Sequence, residues 1–113
     1  DTYGHLQGDR VLIELSGLLS ATIRATDLLG RWGGEEFLVI CPGMTLEAAV
    51  ERAEQLRAAV RAHVFPGLEQ PQTASLGVAS YRVGESREAL LTRVDAALYR
   101  AKLDGRDRVV QAL

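Results

Sequence analysis

The tetrapeptide Gly33-Gly34-Glu35-Glu36 stands between two apolar arms, Leu28-Leu29-Gly30-Arg31-Trp32 and Phe37-Leu38-Val39-Ile40-Cys41. Two apolar stretches around a glycine pair predict a β-hairpin. A hairpin makes its strands antiparallel neighbours, so a doubly wound, all-parallel sheet is excluded. The second arm is apolar at every position, which predicts a strand buried on both faces.

The rest of the chain fills in around this hairpin. Residues 1–8 are polar with two glycines and read as a loop. From Asp9, the expected N-cap, Val11, Leu12, Leu15, Leu18, Leu19 and Ile23 recur at helical spacing, fading near Ala25 or Asp27. Pro42-Gly43 is a turn signal, and Thr45 caps a second helix striped by Leu46, Ala49, Ala53, Leu56 and Val60. That helix must stop before Phe65-Pro66, because Pro66 disfavours helix at Phe65. Residues 73–81 alternate, with Ala74, Leu76 and Val78 on one face of a strand. Ser86 caps a third helix carrying Leu90, Leu91, Val94, Ala97, Leu98 and Ala101; Gly105 closes it as C′, and residues 108–113 form a final strand. Helix, hairpin, helix, strand, helix, strand is an α+β order: an antiparallel-containing sheet with helices packed over it.

Composition bounds the function. The 113 residues predict one domain, residues 1–113. Thirteen Lys+Arg against fifteen Asp+Glu leave a net charge of −2, which speaks against duplex nucleic acid as a partner. The longest apolar run, residues 37–41, is far too short for membrane insertion. The single cysteine, Cys41, allows no internal disulfide and fits a reducing, cytoplasmic setting.

Adjacent carboxylates at a hairpin tip repel each other unless a cation sits between them. Mg²⁺ takes one or two carboxylates plus substrate phosphates. Glycines remove side chains and let a ligand approach the backbone. Neighbours in a regular strand face opposite sides, so Glu35 and Glu36 serve one site only if the turn breaks that alternation. The alternative is an ordinary exposed turn with solvated glutamates. Arg24 and Asp27, if on a helix at i,i+3, have a similarly plain reading as a surface ion pair. So do Lys102 and Arg106, as solvated cations near a helix C-terminus. His5 reads as a structural loop residue, Trp32 and Tyr99 as core or interface packing, and Cys41 as a small buried apolar group.

Gly33-Gly34-Glu35-Glu36-Phe37 resembles the signature of the GGDEF diguanylate cyclases, in the variant with Glu third. Flanking blocks extend the resemblance in order: residues 1–5 with Gly8-Asp9, Arg24-Ala25-Thr26-Asp27 at the family's RxxD position, Arg31-Trp32, Ser75-Leu76-Gly77-Val78-Ala79, residues 95–102, and Gly105-Arg106. The resemblance implies a nucleotidyl-cyclase, palm-like fold with a ferredoxin-like core. It implies that two GTP condense to cyclic di-GMP, a bacterial second messenger, and release two pyrophosphates. One domain binds one GTP, so a homodimer is needed, with two Mg²⁺ expected per half-site. By the same resemblance Glu35 and Glu36 hold metal and are catalytic, with Glu35 closest to the attacking hydroxyl. Gly33 and Gly34 make room for ribose and phosphate, Asp9 accepts from guanine, and Lys102 and Arg106 clamp the triphosphate. Arg24 and Asp27 form an inhibitory product site for cyclic di-GMP. The family often adds a further Arg there from the next helix; the nearest equivalent is Gln55, flanked by Arg52 and Arg57.

The family also places, before this chain's first residue, a strand with a metal-binding Asp and an Asn that contacts guanine. The expectation is therefore an N-terminally incomplete domain, inactive as a 113-residue piece, whose hairpin and residues 73–81 lack a shared neighbour strand. Two other functions fit the same residues: a catalytically inactive GGDEF-like module that senses cyclic di-GMP or GTP, and a ferredoxin-like interaction domain with no nucleotide. The last predicts no gain in heat stability from GTP and Mg²⁺.

Overall fold

The computed structural model describes residues 4–33 and 36–113, with side chains from Arg10 onward. The elements follow the expected order: α1 (Gly4–Thr22), β1 (Leu28–Gly33), β2 (Glu36–Ile40), α2 (Leu46–Ala62), β3 (Leu76–Val78), α3 (Arg87–Leu103) and β4 (Val109–Gln111).

Helix α1 begins earlier than its sequence suggests. Residues 4–8, expected as loop, are helical, so Asp9 lies inside α1 and is not its N-cap. A glycine costs a helix only about 1 kcal/mol. A helix anchored downstream through Val11, Leu15, Leu18 and Leu19 can carry Gly4 and Gly8. The helix also stops earlier, at Thr22. Asp27 accepts from the Arg24 backbone N–H (2.8 Å) and donates its own N–H to the Arg24 carbonyl (3.0 Å). This side-chain competition for backbone groups replaces the next helical turn.

β1 and β2 pair antiparallel, Leu28 opposite Ile40 through Arg31 opposite Phe37, and then Gly33 opposite Glu36. The register shifts across Trp32, which is a β-bulge. β2 is half-buried rather than buried on both faces: Phe37 and Val39 meet the core, while Ile40 is exposed. Only β1 pairs with it among the described residues, so among them its other edge carries no strand. Trp32 and Tyr99 are likewise exposed rather than core, and Cys41 is half-buried.

Helices α2 and α3 start as the sequence dictates. Thr45 Oγ1 accepts from Ala48 N–H and Ser86 Oγ from Ala89 N–H, both at 3.1 Å. α3 carries the chain from β3 back to a parallel partner, β4, with Leu76 opposite Val109 and Val78 opposite Gln111. Both strands are shorter than expected, because a ladder is only as long as its partner. The two pairs form separate two-stranded sheets among the described residues. One apolar cluster joins them: Leu19, Leu56, Val60 and Phe65, with Leu29, Phe37 and Val39 from the hairpin and Leu76 from β3.

α3 lies so close to β3 that a Cβ on Gly77 would sit 2.6 Å from the Leu98 nitrogen and the Val94 oxygen. At its end, Gly105 takes the left-handed C′ position (φ 120°), and Arg106 N–H reaches the Ala101 carbonyl at 2.9 Å. This is a Schellman closure.

Candidate active site

Glu36 opens β2 beside the hairpin tip, and Lys102 sits in the last turn of α3. Sixty-six residues apart in sequence, their charged groups meet at 3.4 Å. Both side chains are about one-third exposed, so the pair itself is worth at most about 1 kcal/mol. They edge a cleft of about 470 Å³, also lined by Thr92, Asp95, Leu98 and Tyr99. The Trp32 bulge breaks strand alternation immediately before the tip, where bulges characteristically re-aim side chains. A Cβ on Gly33 would meet nothing within 4 Å, so no packing among the described residues demands glycine there. Gly34 and Glu35 lie outside the described residues, as does the side chain of Asp9. A hollow of about 530 Å³ between α2 and β4, lined by Thr45, Leu46, Glu47, Val50 and Gln111, contains none of the sequence-predicted site residues.

Arg106 does not line the cleft. It is exposed on the turn just beyond α3, one residue past Gly105. Gly105, Arg106 and Asp107 all have positive φ (120°, 63° and 47°). For the two non-glycine residues this conformation costs roughly 1–2 kcal/mol each. Asp107 is tied down by two arginines of α2: Arg57 Nη1 donates at 3.0 Å, and Arg61 Nη1 donates to the other oxygen. The hydrogen bond from Arg57 is the main reason that the Asp107 carboxyl is held below its usual range.

Arg24 and Asp27 do meet, but on a turn rather than a helix. Arg24 Nε and Nη2 donate to Asp27 Oδ1 at 3.0 and 2.7 Å, and Nη2 also reaches the Pro42 carbonyl at 2.8 Å. The Asp27 side chain is fully buried, which corrects the picture of a surface pair. Its pKa is lowered, chiefly by the hydrogen bonds from Arg24, against the opposing effect of desolvation. Arg52, which flanks Gln55 in the sequence, also reaches this turn, while Gln55 is exposed. Arg52 Nη1 donates to the Thr22 carbonyl at 2.8 Å and lies 3.6 Å from Asp27 Oδ2. Sequence reasoning missed Arg52 and Asp107; Arg52 was visible only as a neighbour of Gln55.

The donor set suits a hard cation in part. Glu36 offers a partly exposed carboxylate at the cleft edge, the kind of single protein ligand that Mg²⁺ accepts alongside substrate phosphates. Among the described residues no group of three His, Cys, Asp or Glu converges, so a metal bound here would need ligands from the substrate and from outside them. Among them, too, no helix is long and apolar enough to cross a membrane.

The profile of the family "Diguanylate cyclase, GGDEF domain" matches residues 1–108. The chain belongs to the GGDEF family. Diguanylate cyclase DgcM of Escherichia coli K12 is 46% identical over 112 residues, which is 99% of this chain and 27% of that protein. The response regulator PleD of Caulobacter vibrioides is 44% identical over 97% of this chain and 25% of that protein. The chain thus spans about a quarter of these relatives. Among solved structures, it superposes on the diguanylate cyclase SiaD of Pseudomonas aeruginosa, crystallised with its activator SiaC. That match has a TM-score of 0.91 and 43% identity, over 99% of this chain and 44% of that one. The active GGEEF domain of a Vibrio cholerae diguanylate cyclase matches with a TM-score of 0.86 and 35% identity, over 100% of this chain and 73% of that one. These likenesses bear out the resemblance and the palm-like α+β fold.

Proposed function

We propose that this domain binds GTP in the cleft beside the hairpin and contributes half of the site that makes cyclic di-GMP in the cytoplasm. The observation that carries the reading is the Glu36–Lys102 pair at 3.4 Å, beside a Gly33 with open space over it. Without nucleotide the two charges neutralise each other. With nucleotide they have separate partners: Lys102, joined by Arg106 from the turn beyond α3, takes phosphate oxygens, and Glu36 a cation. Lysine serves phosphate as a compact point charge. Mg²⁺, held by Glu36 and Glu35, would offset the triphosphate charge and favour ionisation of the attacking 3′-hydroxyl. Gly33 and Gly34 leave room for ribose and phosphate, and Asp9 accepts from the guanine N–H groups, so adenine would leave that acceptor unmatched. Each 3′-hydroxyl attacks the α-phosphorus of the other GTP; each new phosphodiester bond expels one pyrophosphate, so two GTP give one ring and two pyrophosphates. The Arg24–Asp27–Arg52 turn is the proposed product site, where cyclic di-GMP inhibits.

The test is incubation of the domain, together with the strand that the family places before it, with GTP and Mg²⁺ and chromatography for cyclic di-GMP. Glu36→Gln keeps shape and removes the charge, so it should abolish product while leaving the melting temperature within a few degrees. Undiminished turnover in that variant would overturn the reading. A GTP–Mg²⁺ complex at a hundred times its Kd should add about 2.7 kcal/mol of stability to the wild type. No thermal shift would favour an interaction domain without nucleotide.

A further inference from the structure

We propose that Asp107 is a positioning residue for nucleotide binding, holding Arg106 ready for the triphosphate by locking the turn on which it stands. The proposal rests on the GTP-binding reading above, and it goes beyond the residues that touch nucleotide.

Arg106 and Asp107 occupy the left-handed region in succession (φ 63° and 47°), directly after Gly105 at 120°. Non-glycine residues enter this region as isolated exceptions, so two together persist only where surrounding contacts over-determine them. Asp107 is where those contacts converge. Its carboxylate is mostly buried, with 18% of the side chain exposed, and takes Arg57 on one oxygen and Arg61 on the other. Arg57 is braced in turn by Glu54 at 3.0 Å. The Arg106 backbone is held at both ends: its N–H by the Ala101 carbonyl (2.9 Å) and its carbonyl by Arg108 Nε (3.0 Å). The Arg106 side chain, by contrast, has no partner among the described residues. A turn clamped at its backbone and at the next side chain, which presents one uncommitted guanidinium, suits a planar fork for phosphate oxygens. Asp107 touches no nucleotide in this scheme. It carries the alignment of α2 into the turn, so that Arg106 does not lose conformational freedom at the moment of binding.

The experiment is calorimetric binding of GTPαS and, separately, of GMP to the whole protein. Asp107→Ala should weaken GTPαS about tenfold, roughly the loss of one well-placed charge-assisted contact, and leave GMP within about twofold. Asp107→Asn keeps an acceptor oxygen and tolerates the left-handed region, so it should restore most of the affinity. In an Arg106→Ala background Asp107→Ala should cost nothing more, because the group through which it acts is gone. Should Asp107→Ala fail to fold, Arg61→Gln removes only the more exposed of the two arginines. It should weaken GTPαS about two- to threefold and be silent in the Arg106→Ala background. Equal weakening of GMP and GTPαS, or an effect additive with Arg106→Ala, would overturn the positioning role. If the wild type binds GTPαS and neither Asp107→Ala nor Arg61→Gln changes that, this proposal alone fails. A wild type that binds no GTPαS removes the GTP-binding reading and this proposal with it.

Discussion

Carboxylates buried in this fold are held by arginine, and each pairing has a pH signature. Glu85 is 9% exposed at its side chain and accepts from Arg93 Nε at 2.6 Å and Nη2 at 2.9 Å, and from the Arg82 N–H at 3.1 Å. Its pKa falls from 4.5 to about 2, chiefly through the Arg93 hydrogen bonds. A depressed carboxylate contributes stability that is complete above its unfolded pKa and lost as pH falls through the folded one. Stability should therefore drop between pH 4.5 and about 2 as the unfolded chain takes up a proton that the folded chain refuses. Urea midpoints should show Glu85→Gln below the wild type at pH 7, with the gap closing toward pH 2. A gap that is constant with pH would mean that Glu85 stabilises by packing alone. Asp27, whose pKa is also lowered, follows the same sign, whereas Arg24, whose pKa is raised, contributes stability that is lost as pH rises. The pair carries a functional expectation too. Arg24→Ala should weaken cyclic di-GMP binding and leave GTP binding near normal, because Arg24 stands at the turn after α1 with its guanidinium on Asp27 and the Pro42 carbonyl. Equal product affinity in calorimetry would remove the product-site assignment.

At the scale of elements, β3 and α3 are closely matched, and Gly77 is where the match shows. A Cβ there would fall 2.6 Å from two α3 backbone atoms, which no side-chain rotation relieves. Gly77→Ala should cost about 1–3 kcal/mol by overpacking, read as a lower denaturation midpoint with unchanged slope. Gly33→Ala, which meets open space, should leave the midpoint within about 0.5 kcal/mol and impair GTP binding instead. This contrast is invisible in the sequence, where both are simply glycines. What was legible follows the same divide between local and distant causes. The hairpin, the Thr45 and Ser86 caps and the Gly105 closure are local chemistry and stand where they were expected. The start of α1 depends on packing of residues further along, and the length of β3 on that of β4. In the site, Glu36 and Lys102 were legible through the family pattern, yet no local spacing could place them 3.4 Å apart. The contact of Arg52 was not legible, because it depends on which residue of α2 faces the Thr22 carbonyl.

At the scale of the whole molecule, a single cleft with one Glu36–Lys102 pair supplies, on the proposed reading, only half of a ring closure. The proposed product contains two phosphodiester bonds, each made by one nucleotide's hydroxyl on the other's α-phosphorus, so the proposed reaction needs two domains facing each other. Symmetric pairing of identical chains is the commonest way to meet that need. The consequence can be measured without knowing the geometry of the pair. Mix wild type and Glu36→Gln in equal amounts, at concentrations where pairs form and exchange freely. Random pairing then makes about one pair in four wild type on both sides, about half mixed and about one in four doubly mutant. A mixed pair can at best join one of the two bonds, so it yields no ring. Cyclic di-GMP formation should fall to about a quarter of that of wild type alone at the same total concentration. Domains acting singly would instead retain about half, since half of the chains are intact. A value near one half, with exchange verified by tagged chains, would show that each domain completes the reaction by itself. Diluting wild type alone offers the independent check: once pairs dissociate, turnover per chain should fall in proportion to concentration, whereas a self-sufficient domain would keep it constant.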